Sequence, residues 1–216
     1  MSSYWSSQSA QKIHFSKKEI QDLLIAMIVI TFAFAIALSG YGIMYVDWSF
    51  FPLALLISLL AVSTGFILHE LGHKFMANKY GAWAEFRAWT QGLTMALMFA
   101  LIFGFVFASP GAVYIAGNIT KEQNGKISIA GPLINLTFAA SFFPLTFLTF
   151  GTLFEVVFFI YYINAFLAMF NLMPFYPLDG EKIAKWSTTI YVLALVMAIG
   201  LLAPAILSFA GLSIWG

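Results

Sequence analysis

Residues 50–80 read FFPLALLISLLAVSTGFILHELGHKFMANKY. The stretch opens on an apolar run, and a helix needs about 20 such residues to cross the hydrocarbon core. Two histidines and a glutamate then enter without any break in helical character. Lys74 and Lys79 suit the negative end of a helix dipole, and Gly81 suits the left-handed cap position just beyond it. The segment therefore reads as one membrane-crossing helix with ionisable groups inside it.

Composition extends this reading to the whole chain. Of 216 residues, 62% are hydrophobic and 9% are charged, with ten Lys/Arg against nine Asp/Glu. A soluble domain carries about 25% charged residues, so this chain lacks the polar surface to cover itself in water. Disorder is excluded by the same apolar content. The net charge of +1 excludes a nucleic-acid binder that works by phosphate neutralisation. There is no cysteine, so any metal must be held by His, Asp, Glu or backbone.

Further apolar runs occupy residues 23–46, 92–108, 127–150, 153–173 and 188–210. The first follows Lys12, Lys17 and Lys18 as a signal peptide would. At this length it reads as an uncleaved span. Pro174 and Pro177 end the fifth run. The expected fold is an all-α polytopic membrane protein, a bundle of five to six transmembrane segments. Residues 1–22 form a polar tail, and 23–216 form a single transmembrane domain with its core at 50–186. Ser109-Pro110-Gly111 and Asn124-Gly125 read as turns. The flanks Phe105-Val106-Phe107 and Val113-Tyr114-Ile115 suggest a small membrane-associated β-hairpin.

His69-Glu70-Leu71-Gly72-His73 is an HExxH motif. Residues at i and i+4 share a helix face, so both imidazoles can bind one metal ion, with Glu70 placed beside them as a base. Ionisable groups inside a span are costly and default to function. Such a site needs at least a third protein ligand and an open position. The candidates are His14 in the tail, Asp22 and Asp47 at the ends of the first span, and Asp179. Asp179 is favoured because the prolines before it force irregular backbone. Irregular backbone at membrane depth occurs where it is buried in protein or lines a cavity.

The combination of HExxH with Asn171…Pro174…Leu178-Asp179-Gly180 and with Gly131-Pro132-Leu133-Ile134-Asn135 resembles the site-2 protease family of intramembrane zinc metalloproteases. The likeness covers about residues 50–186. It implies one zinc ion held by His69, His73 and Asp179, with Glu70 as catalytic base. It implies substrate-positioning or oxyanion-assisting roles for Asn171 and Asn135, the alternative for both being hydrogen bonding between helices. The implied activity is hydrolysis of peptide bonds within or near transmembrane segments of membrane-protein substrates. PDZ and CBS modules are not expected, and the 92–108 run is longer than the family pattern suggests.

A shared metal constrains topology. His69, His73 and Asp179 must meet, so the second and fifth runs must end at the same depth on one side. Placing the basic N-terminus in the cytoplasm puts the active-site end there too. Residues 92–108 then cannot make a complete crossing, and they must re-enter, lie in the interface or join a hairpin. All ten Lys/Arg fall on the inner side in that arrangement, as expected for a multi-pass protein of the cell membrane.

Overall fold

The computed structural model describes residues 13–106, 110–212 and 214–215. Five helices are long and apolar enough to cross a membrane: Lys17–Ser39, Phe51–Lys79, Lys121–Phe147, Gly151–Asn171 and Thr188–Phe209. In chain order, α1 is Lys17–Ser39, α2 is Phe51–Val62 and α3 is Leu68–Lys79; a π-helical turn at Ser63–Ile67 joins α2 to α3. Then come β1 (Trp83–Ala88), α4 (Thr90–Phe103), β2 (Gly111–Ala116), α5 (Lys121–Phe142), α6 (Gly151–Asn171), α7 (Asp179–Trp186) and α8 (Thr188–Phe209). The helical polytopic bundle expected from composition is what forms.

The helix ends follow from local chemistry. α3 stops where Gly81 takes φ 73°; Gly81 N–H donates to Asn78 O and Ala82 N–H to Ala77 O, the paired bonds of a Schellman ending. At the start of α5, Thr120 and Gln123 form a reciprocal capping box. Asn124-Gly125, read as a turn from sequence, lies inside α5. The glycine is there for packing, since a Cβ at Gly125 would collide with the ring of Trp186.

α4 is the partial element. Its 14 residues span about 21 Å at 1.5 Å each, short of a roughly 30 Å core. Its far end packs under the turn after α1, where Gly42 and Gly104 let the backbones touch. Both glycines have positive φ, 94° and 70°. The chain then returns, and Trp89 N–H donates to Pro110 O at 2.9 Å. That bond brings the end of the excursion back to its start, so the α4 segment leaves and returns at one place in the fold.

A small antiparallel sheet is present, with a different pairing from the one expected. Val113, Tyr114 and Ile115 do lie in a strand, β2, but its partner is β1, with Phe86 opposite Val113 and Glu85 opposite Tyr114. Phe105 and Val106 are not in a strand, and Val106 instead packs in the core with α1 and α4. Phe107, Ala108 and Ser109 lie outside the described residues. The tight turn is thus replaced by the whole α4 excursion.

α1 begins at Lys17, capped by Ser16, within the stretch read as tail. Its first turn is anchored rather than peripheral. Glu19 accepts from Lys74 Nζ at 2.8 and 2.7 Å and from Phe86 N–H at 3.1 Å, while Lys74 also donates to Ala84 O at 2.9 Å. Both charged side chains are almost fully buried. Breaking such a pair leaves an uncompensated buried charge, so Lys74→Met should lower stability by about 3–5 kcal/mol. Lys74→Met with Glu19→Leu should recover part of that loss, as read by denaturation in detergent.

Candidate metal centre

Three elements meet at the site. The HExxH turn opens α3, Asp179 opens α7, and α5 passes between them. α5 comes this close because residue 131 is glycine: a Cβ there would lie 2.6 Å from His69 Nε2 and would also strike His73 Nε2. Pro132 follows inside the helix. Having no N–H, it leaves the carbonyl four residues back, that of Ser128, without its helical donor, and Ser128 lines the site cavity. Gly72 serves the same approach from α3, since a Cβ there would lie 2.6 Å from Ile134 Cδ1.

Asp179 joins the two histidines. Its Oδ2 is 3.0 Å from His73 Nε2 and 3.4 Å from His69 Nε2, and the two ring nitrogens are 3.0 Å apart. All three residues are buried. The other sequence candidates lie elsewhere. His14 is exposed, Asp22 pairs with Lys18 at 2.7 Å, and Asp47 accepts from Ser49 and Phe50 beyond α1.

The donor set fits zinc. Tetrahedral zinc with bonds of about 2.0–2.1 Å sets neighbouring ligand atoms about 3.3 Å apart, close to the separations here. His73 Nδ1 lies 2.8 Å from Ile127 O; a carbonyl only accepts, so that nitrogen carries the proton and Nε2 presents a lone pair. His69 Nδ1 faces Asn135 Oδ1 at 2.5 Å, which leaves its Nε2 in the same state. Two lone pairs and a carboxylate oxygen then face one another. Only positive charge relieves that repulsion; a proton satisfies one pair, a cation all three. Lys182 Nζ takes the other carboxylate oxygen of Asp179, Oδ1, at 3.4 Å.

Glu70 borders the same cavity, which encloses about 70 Å³ between α3, α7 and strand β2. Its Oε2 is buried, with no hydrogen-bond partner among the described residues, and buried polar atoms are ordinarily met by a donor, water or an ion. A second, more apolar cavity of about 50 Å³ also touches Glu70, between Ile30 and Phe34 of α1 and Leu167 and Phe170 of α6. Asn171 lines both cavities and donates Nδ2 to Leu167 O at 3.0 Å.

Asn135 sits differently from its expected substrate-facing position. It is fully buried, and both ends of its amide are engaged: Oδ1 at His69, Nδ2 at Gly65 O (2.8 Å) and Asn164 Oδ1 (3.2 Å). It meets a metal-site histidine, not the cavity. Asn164 is a residue that sequence reading missed, because a single amide in an apolar helix carries no spacing signal.

Fold and site together define a multi-pass membrane protein with a buried His–His–Asp centre suited to zinc. Among proteins of Methanocaldococcus jannaschii, the chain is 44% identical over 189 residues to one named "Putative zinc metalloprotease MJ0611", covering 86% of this chain and 93% of the relative. It is 30% identical over 138 residues to "Zinc metalloprotease MJ0392", covering 61% of this chain and 34% of that longer relative. The chain belongs to this zinc metalloprotease family. No family model and no solved structure matches it.

Proposed function

We propose that this protein is an intramembrane zinc metalloprotease of the site-2 type, cutting membrane-protein substrates within or near their transmembrane segments. The observation that carries the reading is the depth of the site. His69–His73 falls inside the apolar span Phe51–Lys79, and His69 stands ten residues, about 15 Å of helix, before the Lys79 end, which supports a site inside the roughly 30 Å hydrocarbon core.

His69, His73 and Asp179 are the proposed ligands of one zinc ion. Bound there, zinc would supply a Lewis acid that acidifies water and polarises a peptide carbonyl. Glu70 takes the proton from the attacking water and returns it to the departing amine as the C–N bond breaks. Its position in a cavity of about 70 Å³ beside the three ligands, with room for water, suits both transfers. Asn171, at the junction of the two cavities, is placed to donate to the carbonyl oxygen as charge develops on it. A substrate helix hides its carbonyls in i to i+4 bonds and must unwind first. Among the described residues strand β2 pairs with β1 alone, and Gly111, Ala112, Val113 and Ile115 border the cavity, so an unwound segment can add to its other edge.

The orientation proposed is N-terminus and active-site end toward the cytoplasm of the cell membrane. Lys17 and Lys18 open α1, Lys79 closes α3, Lys121 opens α5 and Lys185 lies in the last turn of α7, and placing these helix ends in the cytoplasm suits the positive-inside rule.

The direct test is cleavage of single-span substrates by the full chain in lipid vesicles, with the products mapped by mass spectrometry. Cuts within the apolar segment, lost on zinc chelation and regained on zinc addition, are expected. Cuts confined to soluble loops, or cleavage indifferent to chelation, would refute the reading.

A further inference from the structure

We infer that Asn164, through Asn135, is a positioning residue that fixes which nitrogen of His69 faces the metal. The inference rests on the proposed ligand set. It starts from the orientation of a buried amide, which is decided by what its two ends can meet.

Thr64 Oγ1 lies 3.0 Å from both Leu60 O and Ala61 O. Carbonyls only accept, so the hydroxyl proton is spent there and the oxygen is left as an acceptor. Asn164 Nδ2 donates to that oxygen at 3.1 Å and to Ile160 O at 2.8 Å. Both partners demand a donor, so the amide cannot be flipped, and Asn164 Oδ1 must face Asn135 at 3.2 Å. Asn135 is then fixed in turn. Its Nδ2 meets two acceptors, Asn164 Oδ1 and Gly65 O, and its Oδ1 is left for His69 Nδ1. An oxygen at that place requires the proton on Nδ1, which leaves the Nε2 lone pair toward His73 and Asp179. The tautomer of His69 is therefore held by two acceptors that meet Asn135 Nδ2: Gly65 O directly, and Asn164 Oδ1, itself oriented by Thr64 and Ile160.

The π-helical turn belongs to the same device. Leu68 N–H reaches back five residues to Ser63 O, which widens the helix just before HExxH. Single π turns inside α-helices are rare and gather at functional sites. Gly65 lies within this one and gives its carbonyl to Asn135. A side chain there would be 3.6 Å from Asn164 Oδ1 and only 2.9 Å from Leu167 Cδ1. Asn135 and Asn164 are both fully buried. Amides at this depth are retained where every polar end is satisfied, and partners that orient a ligating histidine typically contribute 10–100-fold to metal affinity.

The test uses the full chain in lipid with two readouts besides activity: zinc affinity by chelator competition, and histidine-nitrogen NMR of the metal-free protein. Asn164→Leu should weaken zinc binding about 10–100-fold and turn a single His69 tautomer into a mixture. Thr64→Val should move both readouts in the same direction by less, with Thr64→Ser restoring them. If Asn164→Leu does not fold, the Thr64 pair decides the matter alone. A folded Asn164→Leu or Thr64→Val protein with parental zinc affinity and one unchanged tautomer overturns the inference. Zinc retained by His73→Ala would instead count against the ligand set, and the tautomer readout would still decide the role of Asn164.

Discussion

Glu70→Gln should abolish cleavage while leaving zinc in place. The substitution keeps shape and volume but removes the capacity to accept a proton. Positioned bases contribute about 10²–10⁴-fold, so kcat should fall within or beyond that range. Glu70 is not among the three atoms that converge on the metal position, so zinc content should match the parent, whereas His73→Ala and Asp179→Ala should lose the ion. Stability should not suffer. Glu70 lines the site cavity, so a substitution that keeps its shape and volume should leave the melting temperature close to the parent's. Parental turnover by Glu70→Gln would remove Glu70 from the mechanism; lost zinc would make it a ligand.

What could be read in the sequence was what is local. Apolar runs mark spans because each helix satisfies its own backbone in lipid, and HExxH places its histidines by helical periodicity alone. Asp179 was legible as a candidate because few side chains could complete the set and the prolines before it force irregular backbone, and the structure brings it beside the two histidines. The sheet was half legible. Val113-Tyr114-Ile115 has strand character, but its partner is β1, and nothing local in β1 says that it pairs across an intervening helix. Gly125 shows the same limit. A glycine after asparagine signals a turn, and only the Trp186 ring packed on it explains its place in α5. The buried Glu19–Lys74 pair joins residues 55 apart in sequence, and neither carries a motif. Asn135 was found by motif yet assigned a role at the substrate, because sequence spacing does not tell which face of α5 looks at His69.

Gly131→Ala is the sharpest test of the close approach between α5 and the two histidines, because two opposing effects of known size meet there. Alanine is a better helix former than glycine by about 0.8–1 kcal/mol. The added methyl would sit 2.6 Å from His69 Nε2, and overpacking of this kind costs about 1–3 kcal/mol. The global stability of the variant should therefore fall by no more than about 2 kcal/mol, the difference of those terms. Zinc should respond much more. The methyl occupies the space against both metal-facing nitrogens, so the rings must turn away or α5 must move off, and either separates three ligand atoms now within 4.8 Å of one another. Zinc occupancy should drop below detection after dialysis, with helical content by circular dichroism retained. Gly200→Ala is the matched control: it lies within α8 with nothing near its would-be Cβ, and it should keep parental zinc. A Gly131→Ala protein that held zinc as tightly as the parent would mean that α5 does not press on the histidines, and the geometry assigned to the centre would be wrong.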